Sequence, residues 1–130
     1  MVRPKIGKPT ERELEIMQVI WAQGPSSVRA VLETLNCERK QKIAYNSVLT
    51  VMTIMQTKGL LTRDAAARTH IYDVVYSREE IEQRLVQQLI TEVFGGSATR
   101  LVSRALSADV ASAEDAAKIE KLLEVLDESA

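Results

Sequence analysis

The 130-residue chain has one cysteine and one histidine, and this scarcity excludes several kinds of site. Cys37 has no second cysteine with which to form an internal disulfide, and a lone thiol cannot build a structural zinc site. His70 has no cysteine or carboxylate at ligand spacing, and no Ser, His and Asp set suited to nucleophilic catalysis is found. We therefore expect no metal, no cofactor and no enzymatic activity. The unpaired cysteine fits a reducing cytoplasm.

Long apolar runs are also missing. No segment approaches the roughly 20 apolar residues that a transmembrane helix needs, and the basic N-terminus lacks the apolar core of a secretory signal. The five glycines form no phosphate-binding loop. A composition of 45% hydrophobic and 27% charged residues is typical of a soluble, folded chain of one domain, or of two small domains that share a core. The sequence thus predicts a cytoplasmic protein with no membrane segment.

The net charge of −1 conceals an uneven distribution along the chain. Residues 1–76 carry 11 Lys and Arg against 7 Asp and Glu, a net +4, whereas residues 77–130 carry 6 against 11, a net −5. The first part can face a polyanion, and the second is repelled by one. This division indicates a nucleic-acid-binding part followed by a part with a different role.

The segment 43–61 has the most informative pattern. Between the basic residues 39–42 and Gly59 there is room for one helix of about four turns. One side of this helix carries apolar residues at helical spacing and predicts contact with a core. The other side carries short polar residues in place of the Lys and Glu of a solvated helix, namely Asn46, Ser47, Thr50, Thr53 and Thr57. Such a face can enter the major groove of DNA and bond to base edges; ordinary surface threonines are the alternative interpretation.

The neighbouring segments predict a winged helix-turn-helix arrangement. Thr10 and Glu13 form a capping box before a first helix, Gly24-Pro25 ends it, and a serine caps a second helix over residues 28–36. Residues 60–63 and 69–76 are rich in β-branched and aromatic side chains and predict a two-stranded hairpin with its turn at 64–68. In this arrangement the third helix contacts the groove and the hairpin, or wing, contacts the DNA backbone.

Residues 77–130 contain no proline and predict three amphipathic helices that begin at Ser77, Ser97 and Ser112. About 50 residues cannot bury three apolar stripes well alone, so we expect a homodimer. The fold class is therefore mostly α with a small β-hairpin: a winged helix-turn-helix domain over 1–76, followed by a three-helix dimerisation domain over 77–130. The predicted interface residues are Ile81, Leu85, Leu89, Val93, Phe94, Leu101, Val102, Leu106, Ile119, Leu122, Leu123 and Leu126.

Several sequence blocks, in their order and spacing along the chain, resemble the penicillinase/methicillinase repressors. These are winged-helix transcriptional regulators related to the copper-transport repressors. The resemblance covers nearly the whole chain. It implies a homodimeric repressor that binds a dyad-symmetric operator, with a resistance or stress-response operon as its target. The blocks are Glu13-Leu14-Glu15-Ile16-Met17 with Trp21, Gly24-Pro25-Ser26-Ser27-Val28-Arg29, Ala44-Tyr45-Asn46-Ser47-Val48-Leu49-Thr50, Lys58-Gly59-Leu60 and Arg68-Thr69-His70-Ile71-Tyr72.

The resemblance also implies which residues contact double-stranded DNA. The positions that match residues at the major groove are Ala44, Tyr45, Asn46, Ser47 and Thr50, and those that match residues near phosphates are Ser27, Arg29, Lys42, Arg68 and His70. Lys40 and Lys42 precede the third helix, and this position alone favours phosphate contact over a solvated loop. For Tyr45, packing in the core is an equal alternative.

The chain departs from the family pattern in three places. Asn46-Ser47 stands where two threonines are more usual, which predicts a different operator preference. Ile54 stands where arginine is usual, which removes one candidate phosphate contact. The Asn-Phe bond that is cut to induce the antibiotic-resistance members would align near Ser103-Arg104 and is absent, and so are the paired C-terminal cysteines of the copper-sensing branch. Induction by copper is excluded, and an inducing protease or sensor is left open as a partner.

Two alternatives fit the same pattern. A winged helix can bind a protein through its third helix, although the basic residues before that helix and the charge division favour DNA. A repressor can also be released by a small molecule bound between the two parts, near residues 76–81, without proteolysis.

Overall fold

The computed structural model describes residues 8–66, 68–107 and 112–129, with side chains up to residue 125. Two compact units, Met1–Gln83 and Arg84–Ala130, divide the chain inside its fourth helix, C-terminal to the boundary expected after residue 76. No described helix is both long enough and apolar enough to cross a membrane. The elements are α1 (Glu11–Gln23), α2 (Val28–Asn36), α3 (Tyr45–Lys58), β1 (Leu61–Asp64), β2 (Ile71–Val74), α4 (Arg78–Glu92), α5 (Ala98–Ser107) and α6 (Ala113–Ser129). This order confirms the predicted fold class.

The predicted capping box starts α1. Thr10 Oγ1 accepts a hydrogen bond from the Glu13 N–H at 3.2 Å, and Glu13 Oε1 accepts one from the Thr10 N–H at 2.8 Å. Two backbone donors that a helix start leaves unpaired are thereby satisfied. The helix ends at Gly24, whose φ of 88° lies in the region that favours glycine. Both ends of α1 thus follow from local sequence.

The first unit has one apolar core, to which α1, α2, α3 and the hairpin all contribute. Met52 and Met55 are completely buried, which confirms that they fill the core. Trp21 is half-buried, and its Nε1–H donates to the Tyr76 carbonyl at 3.0 Å, so the indole lies at the edge of this core. The buried apolar residues are Ile16, Met17, Ile20, Val28, Val31, Leu32, Val48, Met52, Met55, Leu60, Leu61, Tyr72, Tyr76 and Ile81.

The wing is a hairpin with an additional backbone partner. β1 and β2 pair antiparallel. β1 begins and ends one residue later than predicted, and β2 is shorter than the predicted second strand, so His70 lies in the connection before β2. Ser26, in the turn between α1 and α2, forms a bridge with Tyr72: the Ser26 N–H donates to the Tyr72 carbonyl at 2.9 Å, and the Tyr72 N–H donates back at 2.8 Å. The base of the wing is thereby attached to the helix-turn-helix.

The three C-terminal helices begin at the predicted serines. The side-chain oxygens of Ser77, Ser97 and Ser112 each accept a hydrogen bond at 3.1 Å from the backbone N–H three residues later. Gly95 and Gly96 come shortly after the end of α4. These serines satisfy backbone donors that the helix itself leaves unpaired.

The apolar side chains of these helices are largely exposed. Val86, Leu89, Val93, Val102, Leu106, Leu122, Leu123 and Val125 all have more than a third of their surface accessible. Phe94, one of the predicted interface residues, is half-buried. Ile81 differs from the other predicted dimerisation residues because it is 2% exposed, so it belongs to the protein's own core and offers almost no surface to a partner. The side chain of Leu126 lies outside the described residues.

Candidate nucleic-acid interface

The exposed face of α3 carries free hydrogen-bonding groups in its N-terminal half. Asn46, Ser47 and Thr50 are exposed, and their side chains make no hydrogen bond within the part of the chain that the structure describes. Thr53 and Thr57 lie on the same face, but their hydroxyls donate to the carbonyls four residues earlier, at 2.8 and 3.1 Å. Since those two hydroxyls already donate within their own helix, the available donors are concentrated in the first half of the helix, although both hydroxyls can still accept.

The N-terminus of α3 has no side-chain cap. Ala44 is the N-cap residue, and its side chain has no oxygen that could accept from the first backbone N–H groups of the helix. An uncapped helix start carries partial positive charge and suits an anion such as a DNA phosphate. Ala44 is exposed, so this end of α3 is accessible from outside the protein.

A cleft of about 300 Å³ joins the starts of α2 and α3 to the connection before β2. It brings together five of the predicted DNA contacts, which come from three distant stretches of sequence. None of the side chains that line this cleft is acidic, which suits an anionic ligand. The lining residues are Ser27, Val28, Arg29, Tyr45, Leu49, Arg68, Thr69, His70 and Tyr72, of which Ser27, Arg29, Tyr45, Arg68 and His70 were the predicted contacts.

Arg29 and Tyr45 are stacked on one wall of this cleft. The Arg29 Cζ lies 4.8 Å from the centroid of the Tyr45 ring, within the range of a cation–π interaction. Tyr45 is exposed, so it is a surface residue and not part of the core. A guanidinium held over a ring keeps its N–H groups at the edge of the stack, where they can donate to a phosphate.

Ser27 has a structural role in the same cleft. Its Oγ accepts a hydrogen bond from the Ala30 N–H at 3.1 Å and so caps α2. An accepting hydroxyl retains its own O–H as a donor. Ser27 can therefore cap the helix and donate to an anion at the same time.

The loop of residues 37–42, which we call the basic loop, carries three cations whose contacts differ. Arg39 is paired with Glu15 of α1. The Lys42 Nζ donates to the Asn36 carbonyl at 2.6 Å, at the C-terminal end of α2. Lys40 is exposed and has no partner among the described residues. Of the two predicted phosphate contacts, Lys40 is free and Lys42 also stabilises the end of a helix.

Asn36 fixes the junction between the basic loop and α3, a role that the sequence did not suggest. Its Nδ2 donates to the Ile43 carbonyl at 3.0 Å, and its Oδ1 accepts from the Ile43 N–H at 2.8 Å. One side-chain amide thus satisfies both backbone groups of Ile43, two residues before α3. The sequence signal is only an asparagine at a helix end, which is a common feature.

The C-terminal end of α3 is attached to the start of α1 by a charge pair. The Lys58 Nζ lies 3.0 and 3.2 Å from the two carboxylate oxygens of Glu13, a side chain that is 3% exposed. Burial by itself raises the pKa of Glu13, but the Thr10 N–H and the Lys58 ammonium outweigh it, so that the pKa lies below its ordinary value. The sequence had assigned Glu13 a capping role alone.

His70 and Cys37 lie apart, both at the surface. His70 is exposed in the cleft, and Cys37 is exposed at the C-cap of α2. Within the ranges 8–66, 68–107 and 112–129, no group of three or more His, Cys, Asp or Glu side chains could hold a metal ion.

Comparisons with known proteins find curated relatives and a similar solved structure. Two curated relatives, both called transcriptional regulator BlaI, come from Mycobacterium tuberculosis strains CDC 1551 / Oshkosh and ATCC 25618 / H37Rv. Each is 28% identical over 89 residues, which are 68% of this chain and 63% of the relative. The match thus spans slightly less than two thirds of the relatives' length. A crystal structure of transcriptional regulator Tm0710 from Thermotoga maritima aligns over 93% of this chain and 78% of its own, with 17% identity and a TM-score of 0.47.

The family assignment rests on a longer match. Residues 9–125 match the penicillinase repressor family, from just before the capping box of α1 into the last helix. This range includes most of both units and every residue of the candidate interface. The resemblance noted in the sequence blocks is confirmed. The chain belongs to the penicillinase repressor family, a family of transcriptional repressors and not of enzymes.

Proposed function

We propose that this protein is a DNA-binding transcriptional repressor that binds a dyad-symmetric operator as a homodimer and acts by occluding a promoter. The observation that carries the proposal is the free set of side chains on α3: Asn46, Ser47 and Thr50 are exposed and unpaired among the described residues. Asparagine can bond to adenine in the major groove in a bidentate manner, and serine and threonine can bond to any base edge. These three residues are proposed to supply the sequence preference.

Affinity is proposed to come from side chains around the same face that can bind phosphates. Arg29, Arg68 and His70 line the cleft beside α3, and Lys40 is free in the basic loop. Phosphate contacts position a protein on the duplex and make its binding salt-dependent, but they carry no direct sequence information. The cleft and the basic loop would therefore set affinity, and α3 would set specificity.

The second copy of the chain is proposed to cover the apolar side chains of α4, α5 and α6. Leu122 and Val93 are more than 60% exposed, and six other large apolar residues of these helices are 38–52% exposed. Exposed apolar stripes on three helices of one small unit are typical of an interface between chains. A two-fold dimer would present two α3 helices to two half-sites.

Release of the operator is proposed not to depend on cleavage at α5. Ser103 and Arg104 are both exposed on that helix, but they do not form the Asn-Phe bond that is cut in the antibiotic-resistance members. We propose that the protein is cytoplasmic and that an inducing protease or sensor would have to act elsewhere in the chain. Alternatively, a ligand would have to displace the repressor from DNA.

The test is binding of the full chain to a two-fold-symmetric sequence from upstream of its own gene, compared with a scrambled duplex, over a series of salt concentrations. We expect a preference of about a thousandfold or more and a steep decrease in affinity with salt. Weak and equal binding to both duplexes contradicts the proposal. Binding of a partner protein by α3 would then be the better explanation of its exposed polar face.

Asn46→Ala separates base contacts from phosphate contacts. We expect it to cost about 1–3 kcal/mol on the operator and almost nothing on the scrambled duplex. Lys40→Ala is the matched control, which should weaken both complexes alike and reduce the salt slope by about one. Lys42→Ala should behave similarly, with an additional loss because α2 loses its terminal contact. Equal weakening of both duplexes by Asn46→Ala argues against a base contact.

A further inference from the structure

One apolar side chain interrupts the polar face of α3. Ile54 is 45% exposed, although it lies in the middle of an ordered helix. Within the described residues of the first unit, only Tyr45 and Ile54 are large apolar residues with this degree of exposure, and both belong to α3. Tyr45 is stacked with Arg29. Ile54 has no comparable role in the fold.

Ile54 lies in line with the free polar residues. It follows Thr50 by four positions and Ser47 by seven, and residues at these intervals lie on the same side of an α-helix, about 6 Å apart for each turn. Val48, Met52 and Met55, which are fully buried, occupy the opposite side. Any surface that meets α3 through Ser47 and Thr50 therefore also meets Ile54.

The chemistry of Ile54 restricts what it can contact there. A branched hydrocarbon side chain cannot donate to a phosphate or pair with a base edge, and it gains free energy only when it contacts apolar surface. In the major groove the exposed apolar group is the C5-methyl of thymine, because the other base edges present donors and acceptors. The partner that complements Ile54 on duplex DNA is thus a methyl group.

We infer that Ile54 contacts the C5-methyl group of a thymine in each half-site. Because Ile54 lies one turn of α3 after Thr50, the selected thymine lies beyond the base that Thr50 contacts. This inference rests on the proposed function, since it requires α3 to lie in the major groove. It adds a specificity-determining residue that forms no hydrogen bond. It also predicts that the preferred operator has a thymine at one fixed position in both half-sites.

The experiment removes the methyl group and the side chain separately. The full chain is used to select its preferred duplex from a randomised two-fold-symmetric library, and each thymine is then replaced in turn by deoxyuridine, which lacks only the C5-methyl. Dissociation constants are measured for the wild-type protein and for Ile54→Ala. At one position per half-site, we expect the loss of the methyl to weaken wild-type binding about three- to fivefold. The same replacement should have no effect on Ile54→Ala.

Two control proteins make the comparison specific. Gln18→Ala removes an exposed, uncharged side chain from α1 that takes no part in the proposed DNA or dimer contacts, and it should retain the full dependence on the thymine methyl. Ile54→Leu keeps a hydrocarbon at the site and should retain part of that dependence. Unfolding of each variant in urea checks the fold, and an exposed position predicts little change.

The outcomes distinguish this inference from the repressor proposal. If no thymine position depends on its methyl, or if Ile54→Ala shows the same loss as the wild type, the inference is wrong, whereas a large operator preference would still support a repressor. Equal weakening of operator and scrambled DNA by Ile54→Ala would place Ile54 at the sugar-phosphate backbone and would also overturn it. If the protein selects no sequence at all, both proposals fail.

Discussion

The two units of the chain differ in how far one copy buries its own apolar residues. In the first unit, three helices and the wing enclose a continuous core, and the buried residue of α4, Ile81, belongs to this unit. In the second unit, α5 has no buried residue, and Leu122, Leu123 and Val125 of α6 are exposed. Because apolar burial is the main favourable contribution to folding, the first unit is expected to be stable as a monomer. The stability of the second should depend on protein concentration.

The largest effect is expected from a cavity in the first unit. Met52 is completely buried, and Met52→Ala should lower the free energy of unfolding by about 2–5 kcal/mol. Urea unfolding followed by the fluorescence of Trp21, a residue of this unit, measures the loss. The same loss is expected at low and high protein concentration. Thr53→Ala, at the exposed neighbouring position, is the control and should cost less than about 0.5 kcal/mol. If the loss for Met52→Ala varies with protein concentration, the first unit is not stable as a monomer, and the proposed difference between the two units is wrong.

A charge in the second unit should act on assembly instead. Leu122 is 62% exposed on α6, and Leu122→Glu would place a carboxylate in the proposed interface. Burying an unpaired charge is unfavourable, so we expect the dimer to weaken about a hundredfold, as measured by sedimentation equilibrium. Operator affinity should decrease with it, while the unfolding of the first unit, followed by Trp21, should not change. Glu120→Gln, on the same helix, serves as the control. A dimer that persists in Leu122→Glu would place the interface elsewhere.

A smaller effect is expected from acid, and it should appear in the first unit. The pKa of Glu13 is lowered in the folded protein, so the stability that its carboxylate contributes is fully present above the ordinary pKa of glutamate. That contribution is lost as the pH falls through the folded-state pKa. We therefore expect this group to contribute to a decrease in the free energy of urea unfolding between pH 7 and pH 3.

The variant Lys58→Met tests the cause of that pH dependence. It removes the ammonium that lies 3.0 Å from Glu13, so the variant should be less stable than the wild type at pH 7 and should lose less stability in acid. Lys121→Met, on exposed α6, is the matched control. Identical pH dependence in the wild type and Lys58→Met would show that the charge pair does not lower the Glu13 pKa.

The helices were predictable from sequence because their signals are local. The capping residues Thr10, Ser77, Ser97 and Ser112 each bond to a backbone N–H three residues away, so the pattern that predicts the helix also forms the bond. The second strand was predicted too long, since β-branched and aromatic residues mark apolar positions and not the end of a hydrogen-bond ladder. The bridge at Ser26 had no signal, because it depends on backbone groups that only the folded chain brings together.

The candidate interface was predictable as a set of positions but not as a set of available groups. Helical spacing placed Thr50, Thr53 and Thr57 on one face, and that face is exposed. Spacing could not indicate that the last two hydroxyls bond to their own helix. Similarly, the basic loop was evident, but which of its cations pairs with Glu15 depends on where α1 lies in three dimensions. Arg39 is therefore occupied and Lys40 is free.

The attachment of the wing through Ser26 and Tyr72 uses main-chain atoms only. Side chains at the tip of the wing, among them Arg68, Thr69 and His70, can consequently be exchanged without removing the bonds that hold its base. The same separation exists on α3, where the core-facing methionines are distinct from the exposed polar residues. Descendants of such a gene can thus acquire new target sequences by substitutions that leave folding almost unaffected, and an engineer can vary the two surfaces in the same way.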